Sequence, residues 1–160
     1  MSFLPTGDKL PIALGPDEGK LLDVLGDIVT IKITGEDTDG AYTVVQTVSP
    51  PQGGPPLHIH HREDEAFYVL EGELEIQCGE NKIRAVPGSF VFALREIPHS
   101  FRNINSVPAK VLILATPAGI EKLFEELSEL ANQGPPDIEK VKEIAQRYEI
   151  EFILHSQNPD

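Results

Sequence analysis

Apolar and polar residues alternate with a period of two along most of the chain between residues 20 and 116. In IVTIKIT, Val29, Ile31 and Ile33 fall on one face and Thr30 and Lys32 on the other; YTVVQTV alternates again over 42–48. Both are patterns of half-buried antiparallel strands. HIHH, AFYVL, ELEIQC, KIRAV, SFVFAL, HSFRNI and KVLILAT continue the series. Turn signals separate the strands: GEDTDG at 35–40, Glu71-Gly72, Gly79-Glu80-Asn81 and Pro87-Gly88, with glycine supplying positive φ. SPPQGGPP at 49–56 is an irregular connection, because its prolines lack the amide donor a ladder needs. About ten short strands divided in this way predict an all-β antiparallel sandwich or barrel.

The ending changes period. Thr116-Pro117 is placed to cap and start a helix, and Ile120, Leu123, Phe124, Leu127 and Leu130 then follow helical spacing to about residue 131. Gly134-Pro135-Pro136 breaks it and Asp137 can cap a second helix, with Ile138, Val141, Ile144, Ala145 and Tyr148 as its buried stripe. EFIL at 151–154 predicts a short strand, and the tail after it, which holds His155, predicts a frayed end. The chain therefore divides into an irregular arm over 1–18, a β-barrel over 19–116 and a helical extension over 117–160. That extension is too small for its own core and is expected to pack on the barrel as a flank rather than act as a gate.

At 160 residues one domain suffices. No apolar run is long enough to span a bilayer, and the start lacks the basic-then-apolar order of a secretion signal. A single cysteine, Cys78, allows no internal disulfide, which suits the cytoplasm. It continues the Leu74, Ile76 alternation as a small apolar filler. The net charge of −13 argues against nucleic-acid and anionic-lipid partners. Much of that acid falls in stretches expected to be solvated, 121–129 and 139–143.

Chemistry concentrates between His58 and Asn103. His58 and His60, two apart in a strand, send both imidazoles to one face. Glu65 follows five residues later, and His99 comes from a separate strand. Three imidazoles and a carboxylate form a mixed nitrogen–oxygen set suited to one divalent transition ion: iron, manganese, nickel, copper or zinc. His61 should face away from His60, while Glu63 competes with Glu65 for the carboxylate role.

These residues resemble the cupin family. His58, His60, Glu65 and Gly72 match its first motif, and the spacing to Gly72 favours Glu65 over Glu63. Gly79, His99 and Asn103 fit the second, whereas Leu94 and Glu96 stand where that motif has Pro-x-Gly, and Gly53 lies one residue nearer His58 than the pattern asks. The departures touch turns and spare all four ligands. The resemblance implies an antiparallel jelly-roll (cupin) β-barrel with two C-terminal α-helices, and a homodimer formed through edge strands.

Within the family, HIHHREDE, FYVLEGE, IPHSFRN and the two trailing helices look most like single-domain proteins of the quercetin dioxygenase group. That likeness implies a metal-dependent dioxygenase in which Glu65 is both ligand and base, with His58, His60 and His99 as further ligands. Strand parity adds a pocket. Phe67 and Val69 share a face with Glu65, Phe101 and Asn103 share one with His99, and Phe90 and Phe92 face the same side as each other. An apolar cavity with one polar end suits a flat aromatic or enolic compound carrying a chelating oxygen. Sugar phosphates would want basic residues, and Arg62, Arg84, Arg95 and Arg102 are scattered by register. Cupins with these ligands also include plain metal or small-molecule binders and isomerases, so those readings stand beside the dioxygenase.

Overall fold

A computed structural model of the chain describes residues 10–153. The order is β1 (Lys20–Val24), β2 (Asp27–Ile33), β3 (Thr43–Ser49), β4 (His58–His60), β5 (Asp64–Glu71), β6 (Leu74–Cys78), β7 (Asn81–Ala85), β8 (Phe90–Ala93), β9 (His99–Asn103), β10 (Ala109–Thr116), α1 (Ile120–Asn132), α2 (Ile138–Arg147) and β11 (Ile150–Phe152). Residues 10–18 of the expected arm form no helix or strand, and residues 1–9 and 154–160 lie outside the described ones.

Two antiparallel sheets form, ordered β1-β2-β3-β10-β5-β8 and β11-β4-β9-β6-β7. β10 returns between β3 and β5, and β9 between β4 and β6, so sequence neighbours are split between sheets as in a jelly roll. Among the described residues the sheets are open, and no closed barrel forms. Alternation sets what they bury: Val45 and Thr47 of β3, Val111 and Ile113 of β10, Phe67 and Val69 of β5, Phe101 of β9. Slipping any of these strands by one residue would turn that set outward. Burying Phe67 alone contributes about 1.5–3 kcal/mol.

Two glycines fix tight points in the chain path. At the β5–β6 turn Gly72 has φ of 74°, and a Cβ there would lie 2.9 Å from Ala109 Cα. Gly54, at φ of 125°, lets the 49–56 connection press on β9; a Cβ would stand 2.0 Å from the Phe101 carbonyl oxygen.

The first helix starts later than Thr116-Pro117 suggests. Thr116 ends β10, paired with Asp64, and its hydroxyl donates to the Ala41 carbonyl. Gly119 is the N-cap, and its own amide donates to the Glu121 carboxylate. This acid, expected in solvent, is 4% exposed and accepts from Thr43 Oγ1 at 2.5 Å, Gly35 N at 2.7 Å and Gly119 N at 2.9 Å. It ties α1 to the sheet. At α2 the Asp137 side chain does accept from Glu139 N, at 2.9 Å. Val141 and Ala145 are buried there, whereas Ile138 is 59% exposed because the first residue of the helix points off the packed face.

Candidate metal centre

The three-residue strand β4 turns His58 and His60 to the interior. His99, first in β9, pairs directly with His58, and Glu65 enters from β5 in the opposing sheet. One donor atom from each of the four lies within 4.8 Å of every other. His58 Nε2 is 3.1 Å from His60 Nε2, His60 Nε2 is 3.3 Å from a Glu65 oxygen, and His99 Nε2 is 2.7 Å from that same oxygen. Donors about 2.0–2.2 Å from one ion, at roughly right angles, stand about 3 Å apart. The four side chains fit a divalent ion.

The far side of each ring is held. His58 Nδ1 meets the Pro56 carbonyl at 2.7 Å, and His99 Nδ1 meets the Ile97 carbonyl at 3.3 Å. Each of these histidines donates to the carbonyl two residues before it. His60 Nδ1 meets the buried Glu63 carboxylate at 3.2 Å. These partners select the tautomer that leaves Nε2 free to bind a cation. Glu63 thus stands behind the His60 ring rather than competing with Glu65, a role its spacing could not convey.

Electrostatics favour a neutral His58 and an ionised Glu65. Burial, helped by the neighbouring His99 and His60, lowers His58 to about 3, so its ring is neutral. Burial alone would raise Glu65, but His60, His99 and His58 outweigh it and hold the carboxyl at about 2. Burial would also lower His60, yet the carboxylates of Glu65 and Glu63 reverse this and raise it.

The cluster opens on a cavity of about 220 Å³ whose wall includes His58, His60, Glu65, Phe67 and Phe101. The Phe67 and Phe101 rings meet edge-on at 6.0 Å. The opposite wall is helical: Leu123, Phe124 and Leu127 of α1 and Ala145 of α2 reach into it. Phe152 of β11 completes it, 6.1 Å from the His58 ring. β11 pairs with the ligand strand itself, Ile150 opposite His60 and Phe152 opposite His58. The C-terminal extension is therefore part of the cavity wall, beyond the packed flank its sequence suggested.

Other pocket candidates lie elsewhere. Val69 is buried in the core away from the cavity wall. Asn103 is buried as a brace, donating from Nδ2 to the Ser49 carbonyl at 3.0 Å and the Val107 carbonyl at 2.8 Å. Phe90 and Phe92 are 63% and 50% exposed on the outer face. Their shared parity was readable, but register pairs them with Tyr68 and Ala66, the outward residues of β5. His61 points away from the cluster to Glu96 at 2.8 Å and Glu151 at 3.1 Å. Cys78 is half-buried, and burial raises its thiol.

Sequence reading missed Asp27, a buried carboxyl on the cavity wall. The signal was there: Asp27 shares parity with Val29 and Ile31, both of which face inward.

Residues 44–115 match the family described as Cupin domain. The chain is 29% identical over 129 residues to quercetin 2,3-dioxygenase of Bacillus subtilis, covering 81% of this chain and 38% of that one. It is 27% identical over 75 residues to an uncharacterized protein of Methanocaldococcus jannaschii, covering 47% and 60%. It thus spans less than two thirds of the length of either relative. Among solved structures, KdgF from Halomonas sp. superposes with a TM-score of 0.60 at 21% identity, covering 67% of this chain and 94% of that one. The polyketide cyclase RemF from Streptomyces resistomycificus superposes with a TM-score of 0.58 at 19% identity, covering 67% and 80%. Both show the same fold. The two-sheet jelly roll, its His-His-Glu-His cluster and the matched segment identify a cupin domain over residues 44–115.

Proposed function

We propose that this cupin is a metal-dependent dioxygenase of the quercetinase-like type, acting on a small aromatic or enolic compound. The observation that carries the reading is the double position of Glu65, which contacts His60 and His99 and also lines the apolar cavity. His58, His60, Glu65 and His99 would hold the ion, which when bound supplies a Lewis-acidic position for a substrate oxygen and for dioxygen. Glu65 is ionised and free to accept a proton. Its weak basicity suits a hydroxyl already acidified by a neighbouring cation. Phe67 and Phe101 offer ring faces and edges to a flat substrate, and the helical wall keeps water from it. The 220 Å³ available exceeds the ~150 Å³ of a cavity that holds benzene, so more than one ring fits.

Oxygen uptake by metal-reconstituted protein with a panel of flavonols and smaller enols tests the reading. Glu65→Gln should abolish turnover while largely retaining metal, and normal activity in that variant removes the base assignment. The same four side chains would also serve a second reading, a cupin that isomerises or only binds its ligand. Isomerisation would persist under argon, and pure binding would give ligand-induced stabilisation with no product.

The proposal includes a homodimer. β8 is an edge strand whose outward Phe90 and Phe92 a second copy would cover, and a monomeric mass in solution would overturn this part.

A further inference from the structure

The cavity has a second polar end. Leu25-Gly26, both at positive φ, make a tight hairpin between β1 and β2, and this sets Asp27 at the start of β2 facing inward. Asp27 is only 8% exposed and lines the cavity. Among the described residues it is the one ionisable residue of that wall outside the His-His-Glu-His cluster. Ile28 pairs with Val48, which brings Asp27 beside Ser49. The Ser49 hydroxyl oxygen is itself buried without a formed hydrogen bond. Burial raises the Asp27 carboxyl to about 6; the nearby Ser49 hydroxyl eases it down and Asp23 pushes it up, with no cation among the groups acting on it. A buried carboxyl with so little compensation is costly unless something else donates to it.

Its distance from the cluster follows from the backbone. Asp27 Oδ1 would be 3.0 Å from a Cβ on Gly53, and the Gly53 carbonyl accepts from Asn103 N. Asn103 is four residues from His99 along β9, about 13 Å of strand at ~3.3 Å per residue. A molecule that reaches both ends must be elongated, apolar in the middle and polar at each tip.

We propose that Asp27 is a ligand-anchoring residue that accepts a hydrogen bond from a hydroxyl on the end of the substrate remote from the metal. The substrate class is then a flat, extended hydroxyaromatic with a chelating oxygen at one tip and a phenolic hydroxyl at the other. Asp27 selects for that distal hydroxyl and fixes which tip faces the cluster. This rests on the proposed metal-and-cavity site above.

The test uses zinc-loaded protein under argon, where binding is read without turnover. Two probes are titrated: 3-hydroxyflavone, and the same compound with an added hydroxyl at its 4′ position. The native protein should bind the 4′-hydroxylated probe roughly ten-fold tighter. Asp27→Leu should erase that preference, read as the ratio of the two affinities, an outcome a purely structural role would not produce because it would shift both affinities together. If Asp27→Leu fails to fold, Asp27→Asn, which keeps an acceptor without the charge, should show an intermediate preference. Equal binding of both probes by the native protein, or a preference as large in the variants as in the native protein, overturns the anchor and leaves the metal site standing. Failure of either probe to bind, with or without zinc, overturns the anchor together with the cavity reading beneath it.

Discussion

The Glu63 carboxylate stands 3.2 Å from Nδ1 of His60, on the side of the ring turned away from Nε2. That contact orients the central imidazole of the cluster and makes it a stronger donor to a cation. Glu63→Ala should weaken metal binding about 10–100-fold, as such supporting carboxylates do elsewhere. Glu63→Gln should lose less, because its amide oxygen still accepts from Nδ1–H. Chelator-competition titrations of the two variants measure the difference, and an unchanged affinity in Glu63→Ala would show that the ring is held without it.

Metal removal should cost stability. An ion bound only by the folded state, at about 100 times its dissociation constant, adds roughly 2.7 kcal/mol. For a chain of this size that is a melting shift of about 5–10 °C. Calorimetry of chelator-treated and reloaded protein reads it, and superimposable melting curves would count against a metal centre.

Two buried groups give the ion-free protein opposite pH responses. His58 is lowered from 6.5 to about 3, so between those values the unfolded state binds more protons and stability falls as pH drops. Asp27 is raised from 3.8 to about 6, so between those values the folded state binds more protons and its contribution is lost as pH rises. Asp27→Asn should therefore gain on the native protein as pH is raised from about 4 to about 7. Denaturant titrations at both ends of that range test the sign, and a parallel pH dependence in the two proteins would refute the Asp27 shift.

Glu121 is the tie between the helical wall and the sheet. Glu121→Ala leaves the Gly35 and Gly119 amides and the Thr43 hydroxyl without their partner and should cost roughly 2–4 kcal/mol. Loosening α1 also opens the cavity, so the variant should bind a hydrophobic dye that the native protein excludes. Glu121→Gln keeps one acceptor and should lie between.

Much of the fold was readable because strand parity is local. Val45 and Thr47, or Phe67 and Val69, share a face whatever the rest of the chain does, and Gly72 marks its turn by needing a positive φ. Helix periodicity placed Ile120, Leu123 and Leu127 on one stripe. The start of α1 was misplaced because Thr116, a good cap in isolation, is drawn into the ladder opposite Asp64. Glu121 looked like one more solvated acid, since a sequence does not display the three donors that converge on it.

Sequence alone determined the strand and helix pattern, the inward parity of His58 with His60, and the chemical character of the donor set. Those are properties of near neighbours. Only the tertiary structure decided what depends on register between distant strands and on packing between elements. It turned Phe90 and Phe92 outward, placed Glu63 behind His60, and made α1, α2 and β11 a wall of the cavity. It also left Asp27 buried at the far end from the cluster. Parity states which residues of one strand share a face. Which strand they meet, and at what height, is settled by hydrogen bonds between residues up to a hundred positions apart.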